Sequence, residues 1–119
     1  MVLRIPVKIK FKDRIIEAKA LLNTGFEAPE PIISIPLELA ETLNLEIGSV
    51  IEFEGAGLIR GSSYYGGNVE LIVNKNGIIR RINVKVLITP GENEIVLSDK
   101  CIEELGIIID LKNKRWWFT

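Results

Sequence analysis

Ala20-Leu21-Leu22-Asn23-Thr24-Gly25-Phe26 sets the end of an apolar run against a short polar turn closed by glycine. Upstream, Leu3, Ile5, Val7, Ile9 and Phe11 alternate with Arg4, Pro6, Lys8 and Lys10. That period of two marks a strand with one buried face. Pro6 cannot donate to a ladder, which places it at an edge or at a first pairing position. Lys12-Asp13-Arg14 is a polar turn, and residues 15–22 form a second strand that runs into Asn23. Together the two strands predict a hairpin that delivers the Asn23 turn to a fixed place.

Downstream, Pro29 and Pro31 push the residues before them toward extended geometry, and Ile32-Ile33-Ser34-Ile35 reads as a short strand. Pro36 suits the first turn of a helix, where its missing N–H costs nothing. Leu39, Ala40 and Leu43 give that helix an apolar face, and Asn44 is placed to end it. Residues 50–53 resume strand. Glu54-Gly55-Ala56-Gly57-Leu58-Ile59-Arg60-Gly61 is rich in glycine but has neither a P-loop lysine nor dinucleotide spacing, so it reads first as a hairpin tip. The polar and aromatic stretch 62–67 is expected to bend away. Residues 69–73 and 78–88 are strands joined by Asn74-Lys75-Asn76-Gly77, whose Asn-Gly pair suits a tight hairpin turn. Ile78, Arg80, Ile82, Val84, Val86 and Ile88 share one face, interrupted by charge only near the open end. Residues 95–97 form a short apolar strand. Ser98 or Asp99 then caps a second helix with Cys101, Ile102 and Leu105 inward and Gly106 at its end. Residues 107–110 and Trp116-Trp117-Phe118 close the chain as strands. Seven or eight strands and two short helices, with no repeat and no linker, predict a single domain over residues 1–119 that is mainly β and barrel-like.

Composition narrows the chemistry. The 119 residues include 15 basic and 16 acidic side chains, a net charge of -1, which gives no bulk attraction to nucleic acid or to an anionic membrane. No apolar run approaches the roughly 20 residues needed to span a bilayer, and the charged first residues do not resemble a secretory leader. The expectation is a soluble, cytoplasmic protein. Histidine is absent, which removes every mechanism built on it; acid–base work falls to carboxylates, lysine or tyrosine. Cys101 is alone, so neither an internal disulfide nor a thiolate metal site is expected, and its helical spacing makes it a small buried hydrophobe. No metal and no cofactor are expected. Absent glutamine and abundant isoleucine suit a thermophile.

The order of these pieces resembles the retropepsin-like aspartic peptidases, the single-domain homodimeric class, over nearly the whole chain. Leu22-Asn23-Thr24-Gly25 is similar to the family's apolar–Asp-Thr-Gly loop. The hairpin Gly55-Ala56-Gly57-Leu58-Ile59 stands where the family carries its flap. Val86-Leu87-Ile88-Thr89-Pro90, then Ile95-Val96-Leu97-Ser98 and the helix through Gly106, follow the family's later order. The resemblance implies a closed acid-protease-like β-barrel, a homodimer, and a peptide or protein substrate, with no nucleic-acid or membrane partner. It implies Asn23, Thr24 and Gly25 as the catalytic loop, Thr24 bracing the opposite loop across the dimer axis. Gly55, Ala56, Gly57 and Leu58 would lie over an extended peptide, and Tyr64 and Tyr65 would line the groove or lie on the surface.

Two positions depart from the family. Asn23 stands where it has aspartate, and Ser98 where it usually has glycine, which suggests an altered floor beneath the loop. Paired carboxylates on a dimer axis share one proton, and the ionised one takes a proton from water. An amide cannot take that proton. The chain as written is therefore expected to be inactive or impaired as an endopeptidase, the alternative being a non-catalytic dimeric module that binds peptides or scaffolds. Deamidation of Asn23 would restore the carboxylate, although Thr24 slows succinimide formation compared with glycine. Glu27 and Glu30 read as solvated charges. Aromatics alternating on both faces of the last strand imply cover on both faces, which the family supplies by interleaving terminal strands.

Overall fold

The first hairpin forms as its alternation requires. In a computed structural model, which describes residues 3–54 and 60–119, β1 (Leu3–Phe11) pairs antiparallel with β2 (Arg14–Leu22) from Leu3↔Leu22 to Phe11↔Arg14. The odd-numbered residues of β1 from Leu3 to Ile9 are buried and the even-numbered ones are exposed. The remaining strands are β3 (Ile32–Ile35), β4 (Val50–Glu54), β5 (Arg60–Lys75), β6 (Ile78–Ile88), β7 (Ile95–Leu97), β8 (Ile107–Asp110) and β9 (Arg115–Phe118). Two seven-residue helices, α1 (Leu37–Leu43) and α2 (Asp99–Leu105), complete the described chain.

Six strands close a barrel in the order β1-β2-β7-β3-β6-β5, with β5 returning to β1 and β4 attached to the outside of β5. The mainly β, closed-barrel architecture with two short helices is as expected from the sequence. Its core is aliphatic: Ile5, Ile9, Ile33, Ile35, Leu71, Ile88 and Leu97 are fully buried inside the ring. Burying one such side chain contributes about 1.5–3 kcal/mol, and the aliphatic interior needs no polar partner. Leu43 of α1 and Leu105 of α2 extend the same core.

Two readings change. Nine strands are present among the described residues, rather than seven or eight. Residues 62–67 do not bend away: they belong to β5, which pairs with β4 through Ser62, Ser63 and Tyr64, passes to β6 from Tyr64, and absorbs an irregularity between Tyr65 and Asn68. Gly66 and Gly67 take up that bulge, so the strand continues where polarity alone suggested a break. The last strand pairs with its neighbour in the chain. β8 and β9 form their own antiparallel sheet, Ile108 facing Trp117 and Ile109 facing Trp116. Trp116 is buried and meets Phe118 edge-on at 5.6 Å, while Trp117 stays 42% exposed on the opposite face.

Arg80, the charge that interrupts the apolar face of β6, explains how this tail is held. It donates to Leu105 O at 2.8 Å and to Thr119 O at 2.6 Å, and its guanidinium lies 4.4 Å from the centre of the Phe118 ring. Among the described residues, no helix is long and apolar enough to cross a membrane.

Candidate functional site

The Asn23 loop occupies residues 23–31 because of where β7 lies. β7 runs parallel to β2, with Leu22 beside Leu97, and antiparallel to β3, with Ile33 beside Leu97. The chain therefore leaves β2, arches over the end of β7, and comes down as β3 on the far side. The segment inside the arch is Leu97-Ser98-Asp99, where strand turns into α2.

Hydrogen bonds tie the arch to that segment along its length. Asn23 N–H donates to Leu97 O at 3.4 Å, and Asp99 N–H donates to Phe26 O at 2.9 Å. Ala28 N–H donates to Asp99 Oδ1 at 3.0 Å. Ile32 N–H donates to Ser98 Oγ at 3.1 Å, and Ser98 N–H returns to Ile32 O at 3.1 Å. Within the arch, Asn23 Oδ1 accepts from Gly25 N–H at 3.0 Å, and Asn23 O accepts from Phe26 N–H at 3.0 Å. The first bond is an Asx turn, which asparagine and aspartate make with the same oxygen. Asn23 is half-buried; Thr24 and Gly25 are exposed at the crest.

Ser98 is fully buried and has more than one task. Its Oγ caps α2 by accepting from Cys101 N–H at 3.4 Å, accepts from Ile32 N–H, and donates to Cys101 Sγ at 3.5 Å. The Cys101 thiol in turn donates to Ile32 O at 3.3 Å. The added hydroxymethyl thus fastens the exit of the loop. Burial pushes the Cys101 thiol pKa above its ordinary value, against the weaker lowering effect of its hydrogen bonds with Ser98 and Ile32. The thiol is a buried hydrophobe, as its spacing predicts.

A second polar cluster ties β3 to the strands beyond it. Thr89 Oγ1 lies 2.9 Å from Ser34 Oγ and 2.8 Å from Ser63 Oγ, and Thr89 N–H donates to Ile35 O at 2.9 Å. Three neutral hydroxyls satisfy one another there without any ionisable group among them.

The other singled-out residues fall as follows. Glu27 is exposed. Glu30 pairs with Lys85 at 2.9 Å, and that hydrogen bond raises the lysine's pKa. Tyr64 packs half-buried on the core rather than lying on the surface, and Tyr65 is half-buried with Lys85 Nζ 5.7 Å from its ring centre. The expected peptide-covering residues Gly55, Ala56, Gly57 and Leu58 lie outside the described residues. Among the described residues, no group of three His, Cys, Asp or Glu side chains is placed to hold a metal ion. Sequence reasoning missed Asp99 as the acceptor for Ala28 and Arg80 as the anchor of the tail. The only local signal was the helix cap at 98–99, which does not say which distant amide it will hold.

Barrel, arch and the helix beneath it define a retroviral protease-like fold. The chain is similar to the crystal structure of the retroviral protease-like domain of Ddi1 from Leishmania major, with a TM-score of 0.54 and 14% sequence identity, over 99% of this chain and 90% of that one. No family model matches the sequence. No curated protein matches it.

Proposed function

We propose that this chain is an aspartic-peptidase-type homodimer whose water-activating position is occupied by an amide, so that it holds extended peptides without cutting them. The observation that carries this reading is the arch itself. Asn23 Oδ1 is fixed by Gly25 N–H at the place where a carboxylate of the same shape would sit. Thr24 and Gly25 face outward at the crest, free to meet a second loop across a twofold axis. The outer side of the β8–β9 hairpin, with Ile108 37% and Trp117 42% exposed, offers apolar surface for the same partner.

In such a dimer two side chains at position 23 face one water. Two aspartates would share a proton, one polarising the peptide carbonyl and the other deprotonating the water. Two asparagines can hold the water by hydrogen bonds but offer no base. Asn23→Asp supplies the base without altering the turn, because its oxygen still accepts from Gly25 N–H, and a charge-assisted bond there is the stronger one. The test is a peptide-cleavage assay of the parent and of Asn23→Asp from acidic to neutral pH. The expected result is hydrolysis by Asn23→Asp at acidic pH, at least about 10²-fold faster than the parent, with the parent's intact mass showing no deamidation. Equal inactivity of the two proteins, both dimeric by sedimentation, removes the catalytic half of the reading. A monomeric parent removes the dimer.

A further inference from the structure

The outer face of the barrel carries a groove of about 450 Å³ on the strands β1, β2, β5 and β6. Its origin is Pro6. β1 pairs with β5 only from Lys8↔Ile72 to Lys10↔Glu70. Toward Pro6, which has no N–H to give, the ladder stops and the two strands part. The groove opens at that parting, with Pro6 and Val7 on one side and Asn74 and Ile79 on the other. It lies on the order of 17–26 Å along β2 from Asn23, at the strand rise of about 3.3 Å per residue.

Two properties set what fits it. Lys8, Lys10 and Arg81 line it against the single acid Glu17. Lys8 reaches Glu17 only at 3.5 Å, and Arg81 reaches Glu70 at 3.4 Å; the lysine and arginine side chains are 52% and 56% exposed, so these pairs leave most of the positive charge facing water. In a chain whose net charge is -1, this is a local excess. Between the bases lie aliphatic side chains, Ile15 at 55% and Ile79 at 52% exposure, with Ile72 beneath them. Isoleucine at such exposure is surface that gains by being covered.

We infer that this groove binds an extended, acidic segment of another polypeptide with aliphatic side chains at alternate positions. An extended chain places every second side chain on one face. Its aliphatic residues would cover Ile15 and Ile79, and its carboxylates, on the other residues, would reach out to the ammonium and guanidinium groups at the groove walls. Nucleic acid fits less well, because no aromatic ring lines the groove to stack a base. A second copy docking its own acidic surface there would make a heterologous contact, which assembles the chain into a ring or a filament and is visible in sedimentation. The inference does not rest on the Asn23 reading, since no residue of the arch takes part.

The test is fluorescence anisotropy with a labelled peptide of about ten residues alternating glutamate and valine. The parent should bind it, more weakly as salt rises. Lys10→Glu with Arg81→Glu should lose at least about tenfold in affinity, and the milder Lys10→Gln with Arg81→Gln should lose less. A peptide with serine in place of valine should also bind the parent at least about tenfold more weakly. All of these positions are exposed, and circular dichroism checks that the variants remain folded. The inference is overturned by a parent that does not bind, or by affinity unchanged in both double variants. It is equally overturned by tighter binding of single-stranded DNA or of phosphatidylserine vesicles, or by charge reversal that changes only self-association in sedimentation. An Asn23→Asp protein that fails to cleave peptides leaves every arm of this experiment readable.

Discussion

The two helices are the same length and end the same way, yet they carry different loads. α1 follows Pro36, which supplies no side-chain cap, and stops at Asn44 in the left-handed conformation. Its start is closed by backbone alone; at its end local N–H groups fold back on the last turn and Arg14 of β2 donates to Thr42 O at 3.0 Å, and its buried face is Ala40 and Leu43. α2 is capped by Ser98 and stops at Gly106, also left-handed. Its first turn holds the arch through Ser98 and Asp99; its last holds the tail, with Arg80 on Leu105 O and Thr119 N–H donating to Gly106 O at 2.9 Å. The same length and the same left-handed stop thus serve a helix with one side-chain tie to β2 in one case and a joint between two distant segments in the other.

The sharpest way to break that contrast is at the two C-terminal caps. Gly106 has φ +68, and a Cβ there would meet Arg80 Nη1 and lie 2.8 Å from Thr119 Oγ1. Gly106→Ala should cost about 3 kcal/mol in urea denaturation, from left-handed strain and displaced Arg80 hydrogen bonds. A loss below about 1 kcal/mol would mean that the tail is not fastened there. Next comes Ser98→Ala, which strands the amides of Ile32 and Cys101 and should cost about 2 kcal/mol, with faster hydrogen exchange at Ile32. If Ile32 exchanges as before, the arch does not depend on the joint.

Cys101 gives a smaller, pH-dependent effect. Its folded pKa is raised, so the folded state keeps the thiol proton after the unfolded chain has lost it. Stability is full below the ordinary thiol pKa and falls as pH rises beyond it. Thiol labelling should be slow in the native protein and fast in urea. Labelling equally fast in both would show the Ser98–Cys101–Ile32 packing to be open. The smallest effect belongs to α1 and has the opposite sign. Asn44 at φ 61 tolerates glycine without losing a side-chain cap, so Asn44→Gly should gain about 0.5–1 kcal/mol. Destabilisation by that change would show that the Asn44 side chain itself helps to hold the end of α1.

The same contrast separates what was readable from what was not. The alternation of β1, the Asn76-Gly77 turn, both helices and both left-handed caps follow from side chains interacting within a few residues, and sequence carries that directly. Asn76 and Gly77 indeed adopt φ of 53 and 84. The arch was readable as a motif, through a resemblance, but not its fastenings. Ala28 meets Asp99, and Ile32 meets Ser98, across more than sixty residues of chain. Only the insertion of β7 between β2 and β3 brings them together, and no periodicity encodes that. Arg80 looked like a flaw in an apolar face because its partners, Leu105 O and Thr119 O, are backbone atoms without residue identity. Residues 62–67 misled in the other direction. Polar side chains and glycine suggested a break, but backbone ladders, to β4 first and then to β6, carry the strand through.

Pro6 has one further consequence. Because the register between β1 and β5 spans only residues 8–10 of β1, the cylinder has a thin line of stitching on one side, whereas β1 is zipped to β2 along its full length. Breathing of the fold concentrates where few ladder bonds must part, at this three-pair seam and at the two-pair seam between β3 and β7. Parting of the first of these would open a slit between the first hairpin and the β5–β6 ribbon and leave the long β1–β2 and β5–β6 ladders whole.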